Sequence, residues 1–173
     1  MNHNLLPLSF FARPVLTVAP ELLGNYLVRK LNDQEIALCI TEVEAYDGPL
    51  DLACHGRFGR TTRTEPMFGP AGYFYVYLVY GMYWMLNVVT DEPGYPAAIL
   101  IRGTEHISGP GKVTKHLSID KTFNNKIVHP ASELWIEDRG MSSYTHTIVT
   151  TPRIGISYAG PIWSQKPYRF VLK

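Results

Sequence analysis

Residues 73 to 81 read Tyr-Phe-Tyr-Val-Tyr-Leu-Val-Tyr-Gly. Aromatic and β-branched side chains at this density fit a pleated, half-buried surface and crowd a helix, so the run predicts a strand over 73–80. Strict alternation puts Tyr73, Tyr75 and Tyr77 on one face and Phe74, Val76, Leu78 and Tyr80 on the other. Gly81-Met82 breaks the strand, and a second one is expected over 84–90. Most of these rings must be core. The segment Tyr80-Gly81-Met82-Tyr83-Trp84, however, leaves large apolar groups at a tight turn, where burial is hard to arrange. Rings exposed at a hairpin tip can wedge between base pairs or stack on bases.

The remaining patterns surround this hairpin with more strands. Residues 17–24 read as a short helix with an early proline and a closing glycine. Segments 25–31 and 35–46, separated by Asn32-Asp33, predict a second hairpin. Residues 47–72, rich in Gly, Pro, Arg and Thr, predict a long loop with one helical turn, and long loops in compact domains are usually functional or disordered. A strand is expected over 97–102, a helix over 108–117, and further strands over 134–137, 148–157 and 168–172. The expectation is a single α+β domain over 1–173: a curved, mainly antiparallel sheet with a few peripheral helices. With 173 residues, 46% of them hydrophobic, the chain can bury a core without staples.

Sixteen Lys and Arg face fifteen Asp and Glu, a formal net charge of +1. No polyanionic partner follows from that balance, so positive charge directed at nucleic acid would have to be local. Cys39 and Cys54 have no CxxC spacing, which argues against a disulfide framework or a zinc site and for free thiols. The first eight residues lack a signal peptide's basic and apolar regions, and no apolar run is long enough to span a bilayer. A soluble intracellular protein, with no metal or other cofactor, is therefore expected.

Three patterns carry chemistry. In the second strand one parity holds Ile36, Leu38 and Ile40 and then continues into Glu42, Glu44 and Tyr46. Either the strand emerges into solvent there, or a carboxylate lies at the rim of a pocket beside a stacking aromatic, able to act as a general base. This pattern does not separate Glu42 from Glu44. His55, in a loop with Asp51, Arg57, Arg60 and Arg63, has no companions at metal-ligand spacing, so hydrogen bonding to a substrate suits it better than metal binding. The three arginines, interleaved with Thr61, Thr62 and Thr64, offer either a solvated loop or a local phosphate-contacting surface. Ser108-Gly109-Pro110-Gly111-Lys112 lacks the first glycine of a Walker loop. A helix start with Lys112 could still hold one DNA phosphate.

Taken in order along the chain, several segments resemble the alkyladenine DNA glycosylase family, the mammalian-type 3-methyladenine DNA glycosylases. They are Leu22-Leu23-Gly24, Glu42-Val43-Glu44-Ala45-Tyr46, Asp51 with His55, Met67-Phe68, Tyr75-Val76-Tyr77 with Tyr80-Gly81-Met82-Tyr83, Asn87, Leu100 with Arg102, Ser108 to Lys112, and Arg153-Ile154-Gly155-Ile156. No single segment is decisive, but the ordered set is specific. Between Arg102 and Gly109 this chain is shorter than the family's usual pattern.

The resemblance implies a monofunctional enzyme that flips a damaged purine out of duplex DNA and hydrolyses its N-glycosidic bond. The substrates implied are 3-methyladenine, 7-methylguanine, hypoxanthine and ethenoadenine. It implies Glu44 as the water-activating carboxylate, with His55 beside it in the catalytic set. Tyr46, His55, Tyr77, Asn87 and Leu100 would form the base pocket, with Asn87 placed against the exocyclic amine of guanine. Tyr80 would intercalate, and Arg60, Met82, Tyr83, Arg102 and Lys112 would contact DNA. The expected partner is double-stranded DNA carrying damaged purines, bound by a monomer in the cytoplasm, at a nucleoid or in a nucleus.

The residue types suit that chemistry independently. Breaking the bond builds positive charge on the sugar, which a carboxylate that orients water also stabilises. Two other classes are compatible with fewer of the features. A silent binding module would retain the aromatic tip but has no need of Glu44. A nucleoside hydrolase has little use for Tyr80 or for the arginine loop.

Overall fold

In a computed structural model, described here for residues 4–140 and 147–173, the chain forms one open sheet edged by short helices. The elements in order are β1 (Asn4–Leu5), α1 (Leu8–Phe11), α2 (Val15–Leu22), β2 (Tyr26–Leu31), β3 (Gln34–Asp47), β4 (Phe74–Val79) and β5 (Tyr83–Thr90). They are followed by β6 (Ala97–Thr104), β7 (Ile107–Ser108), α3 (Pro110–His116), β8 (Leu134–Asp138), β9 (Ile148–Thr151), α4 (Gly160–Trp163) and β10 (Arg169–Leu172). The sheet runs β1-β8-β2-β3-β6-β5-β4, with β10 joining β3 and β9 joining β10. Every ladder is antiparallel, in line with the α+β expectation.

Both expected hairpins form. Asn32 and Asp33 each take positive φ, at 49° and 61°, between paired Leu31 and Gln34. Tyr80 and Gly81 do the same at 52° and 69°, with the Met82 N–H bonded to the Val79 carbonyl. Two successive positive φ angles define the turn whose twist matches the strands it joins. Asn and Asp tolerate that conformation; a tyrosine there is uncommon and strained.

Strand β3 departs from simple alternation. Its pairing with β6 slips between Ile40 and Val43, so Ile40 and Val43, three residues apart, both enter the main core. A bulge of this kind inserts a residue, bends the strand and reverses which side chains face inward. Before it β3 pairs with β2; beyond it β3 pairs with β10 and β6. Val43 and Ala45 therefore join the apolar layer, and Glu42, Glu44 and Tyr46 are turned to the opposite face. That face is not solvent. Glu44 has no exposed surface and Glu42 is buried.

Three expectations need correction. The second helix begins at Val15 rather than Thr17, because the distant Asp91 carboxylate accepts the Val15 N–H at 3.1 Å and supplies a cap that no local residue signals. The loop after β3 holds two short 3-10 turns, His55–Phe58 and Glu65–Phe68, and not one. The strand expected over 148–157 ends at Thr151, because Arg153 and Ile154 spend their hydrogen bonds on β3 and the following loop.

Candidate active site

One transverse row of the sheet organises the site. Glu44 on β3 is the register partner of Leu100 on β6, Leu100 of Asn87 on β5, and Asn87 of Tyr75 on β4. Neighbouring strands hold opposite residues on the same face, so four side chains far apart in sequence stand side by side. Tyr46 and Tyr77, two residues along their strands, extend the same face. The His55–Phe58 turn, Met67 and the segment 153–158 close over it.

Beneath this cover lies a small pocket, partly open to solvent, walled chiefly by Tyr46, His55, Tyr75, Tyr77, Asn87 and Tyr158. It opens onto a larger groove bordered by Arg63, Tyr80, Leu100, Arg102 and Ile154. The ring of His55 meets Tyr77 edge-on at 4.7 Å, and Tyr77 lies 5.1 Å from Tyr75. The Asn87 amide is fixed by donating to the Tyr75 carbonyl at 3.0 Å and to the Met85 carbonyl at 3.3 Å.

The Glu44 carboxylate is held from several sides. One oxygen accepts the Ile154 N–H at 2.7 Å, and the other accepts the Tyr46 hydroxyl at 2.9 Å. Arg102 approaches it at 3.4 Å while pairing with Glu42 at 3.0 Å, and Arg169 pairs with Glu42 at 2.7 Å. Burial raises the pKa of Glu44 from its ordinary value; Arg102, the Ile154 N–H, the Tyr46 hydroxyl and Arg153 oppose that rise. A raised pKa makes a carboxylate a stronger base, and the donors keep it oriented.

His55 has the opposite balance. Burial, helped by the Arg63 cation, lowers its pKa to about 4, so its imidazole is neutral at pH 7. Its Nδ1 lies 3.0 Å from the Tyr75 hydroxyl. The Arg63 cation lies 5.1 Å from the Tyr77 ring centre and acts to lower the pKa of Tyr75. A neutral imidazole has one donor and one acceptor nitrogen, so with Nδ1 accepting the Tyr75 hydroxyl the Nε2–H is directed elsewhere. The buried phenol of Tyr75 is raised to about 12, and those of Tyr46 and Tyr77 are raised as well, so all three remain protonated.

The residues singled out in the sequence fall into three groups. Tyr46, His55, Tyr77, Asn87, Leu100 and Arg102 line the pocket or its mouth, and Glu44 is buried behind them, bonded to Tyr46 and 3.4 Å from Arg102. Tyr80 is 88% exposed at the hairpin tip, with Met82 and Tyr83 exposed beside it. Tyr83 rests on Gly111 of α3, whose Lys112 is exposed. Arg60 stands apart from the groove lining: it pairs with Glu65 at 2.9 Å on an exposed surface and lies over Phe68. Arg63, read only as one of three loop cations, is instead at the pocket. The ion pair of Asp51 with Arg153 and the Ile154 N–H carried no chemical signal in the sequence, because each gains its role from a partner about a hundred residues away. Among the described residues no group of His, Cys, Asp and Glu could hold a metal ion, and both cysteines are buried free thiols.

A buried carboxylate thus stands behind an aromatic pocket, which opens onto a groove bordered by a protruding ring. Residues 9–108 and 104–173 match the family model described as methylpurine-DNA glycosylase. A protein of Methanocella arvoryzae provisionally named 3-methyladenine DNA glycosylase is 44% identical over 185 residues, covering 95% of this chain and 90% of its own. Proteins with the same provisional name from Legionella pneumophila (strain Corby) and Myxococcus xanthus are also 44% identical. The alignments cover 97% and 96% of this chain and 94% and 89% of theirs. The chain belongs to the methylpurine-DNA glycosylase family.

Proposed function

We propose that the protein removes alkylated and deaminated purines from duplex DNA by flipping the damaged nucleotide into the pocket and hydrolysing its N-glycosidic bond with a water activated by Glu44. The observation that carries this reading is the position of Glu44: fully buried, held by three donors, and in register with the residues that wall the pocket.

Flipping requires unstacking, which costs a few kcal/mol and least for a damaged or mispaired base. Tyr80, projecting from the tip, fills the vacancy in the stack and offsets part of that cost. The extruded purine lies between Tyr46 and the Tyr77–His55 side, whose π-faces suit a cationic methylated ring. Neutral His55 adds no like charge there, and its Nε2–H serves a hydrogen bond to the base. The Asn87 amide, pinned to two backbone carbonyls, cannot swing away and so excludes the exocyclic amine of guanine.

As the bond to the base lengthens, positive charge grows on the sugar. Ionised Glu44 orients water for attack, accepts its proton and stabilises that charge. Cationic 3-methyladenine and 7-methylguanine leave readily without an acid; hypoxanthine and ethenoadenine depend more on the hydrogen bond from His55. Among the described residues no lysine lines the pocket or the groove, which supports simple hydrolysis without a Schiff base and hence without strand cleavage. We further propose that the protein works as a monomer on double-stranded DNA, with Met82, Tyr83, Lys112 and Arg60 contacting the backbone or groove away from the flipped base.

Incubation with duplexes carrying one hypoxanthine or ethenoadenine, and with methylated genomic DNA, followed by alkaline cleavage at abasic sites, tests the reading. Release of at least one of these bases is expected. Release of none would overturn it.

A further inference from the structure

Arg153 is the most heavily anchored side chain near the site, yet it does not line the pocket. Its guanidinium makes a two-pronged ion pair with Asp51, with one prong at 2.8 Å, and neither side chain has exposed surface. It also donates to the Ala45 carbonyl at 2.8 Å. The Tyr46 ring lies 4.8 Å from it and the Tyr168 ring 5.2 Å. Asp51 in turn accepts the N–H groups of Asp47 and Ala53, at 3.0 and 2.9 Å, so its own position is set by the loop after β3.

One guanidinium thus ties together the end of β3, the loop that carries His55, the entry to β10 and its own segment. The next peptide N–H, that of Ile154, is the one bonded to Glu44. Through one Cα atom, whatever moves Arg153 moves that donor. We infer that Arg153, clamped by Asp51, is a positioning residue for the hydrolytic carboxylate: it presents the Ile154 N–H to Glu44 and holds Ala45 and Tyr46 in register beside it. This rests on the role proposed for Glu44.

A bidentate arginine suits this task because its planar fork fixes orientation as well as distance, which a lysine point charge does not. The buried pair is not explained by stability alone, since burying two charges often adds nothing to stability over apolar packing. The consequence is also electrostatic. Glu44 is faced by Arg102 from β6, by Glu42 and Tyr46 from its own strand, and by Tyr77 from β4. Arg169 on β10 is engaged with Glu42, so what remains on the closing segment is the charge of Arg153 and the Ile154 N–H, the donor. Loosening that segment removes a hydrogen bond to the ionised form and raises the Glu44 pKa further.

The test measures single-turnover release of hypoxanthine from a duplex oligonucleotide across acidic and neutral pH, together with affinity for an abasic-site duplex, in the full chain. Two changes are compared. Arg153→Lys keeps the charge and loses the fork. Replacing Ile154 by its α-hydroxy acid turns one amide into an ester, which deletes that N–H and leaves every side chain in place. Both should slow release by between about tenfold and a hundredfold, the loss expected from small misplacement of a reacting group. In both, the acid limb of the pH profile should move upward, while abasic-site binding changes little.

An ester variant with unaltered rate and acid limb overturns the inference. So does a folded Arg153→Lys that releases base like the unaltered protein, or one that is slower with an unmoved acid limb, since that is loss of structure only. If Arg153→Lys does not fold, Asp51→Asn, which leaves the arginine and its bond to Ala45, takes its place with the same expected and overturning results. Should neither fold, the ester alone decides. Absence of release by the unaltered protein, or release undiminished in Glu44→Gln, identifies a failure of the proposed function itself.

Discussion

The Tyr46 hydroxyl donates to the Glu44 carboxylate at 2.9 Å, across two residues of one strand, so the wall of the pocket and the buried carboxylate behind it are a single hydrogen-bonded unit. Glu44→Gln should lower base release by between about a hundredfold and ten-thousandfold, the range for loss of a general base, while damaged-duplex binding persists. Tyr46→Phe keeps the ring and loses the donor. Its acid limb should shift upward, because the hydroxyl is one of the groups that oppose the effect of burial on Glu44. A pH–rate profile of release measures both, and an unmoved limb in Tyr46→Phe would show that the bond has no influence on ionisation.

Tyr80 occupies left-handed backbone, at φ 52°, with its ring in solvent. A bulky residue there costs about 1–2 kcal/mol relative to its preferred conformation. Tyr80→Asn would create Asn-Gly, the favoured pair for this turn, and should raise stability by about 0.5–1 kcal/mol. The same change should reduce discrimination between lesion-bearing and intact duplex. Denaturant unfolding and a binding titration check the two halves. A variant that is no more stable and equally discriminating would contradict the strained-wedge interpretation.

The acid side of the stability profile should carry the signature of His55. The unfolded chain binds a proton on this histidine near pH 6.5, the folded chain only near 4. Between those values the unfolded state holds more protons, so this group's contribution to stability falls as pH decreases through the window and is constant above it. Glu44, with its pKa raised, acts in the opposite sense, but equally in a His55→Gln variant. The difference in thermal midpoint between the two proteins should therefore depend on pH below 6.5 and level off above. A difference that stays constant throughout would refute the buried neutral imidazole.

Helix α2 gains its first cap from Asp91 across the fold, and Asp91 itself has φ 70°. Asp91→Ala removes the acceptor and places a Cβ-bearing residue without side-chain compensation in left-handed backbone, so unfolding should be easier by about 1–2 kcal/mol. Asp91→Asn retains an acceptor and tolerates the angle, and should lose less than half of that. Equal losses in the two variants, measured in urea, would mean that the cap contributes nothing.

Much of this architecture is local and therefore legible in the sequence. The tyrosine strand, its glycine turn and the Asn32-Asp33 turn are dictated by side-chain bulk and by the few residues that tolerate positive φ, and all three form where the pattern puts them. Strand alternation likewise separates Tyr75 and Tyr77, at the pocket, from Phe74 and Val76, in the main core. The choice between Glu42 and Glu44 was not legible from alternation, since both share a parity. Tertiary contacts distinguish them: Glu42 is taken up by Arg102 and Arg169, and Glu44 meets Tyr46 and Ile154.

What the sequence by itself determined is the set of strands, the exposed aromatic tip and the ordered motifs that identify the family. Only the tertiary structure decided that β3 slips at Ile40–Val43, that Glu44 has no exposure to water, that Arg63 lies over Tyr77, and that Asp51 pairs with Arg153. The reason is physical. Turn and strand preferences arise within a few residues, whereas register, burial and ion pairing depend on which distant segments close on one another. Such pairings leave no local trace in the residues that make them.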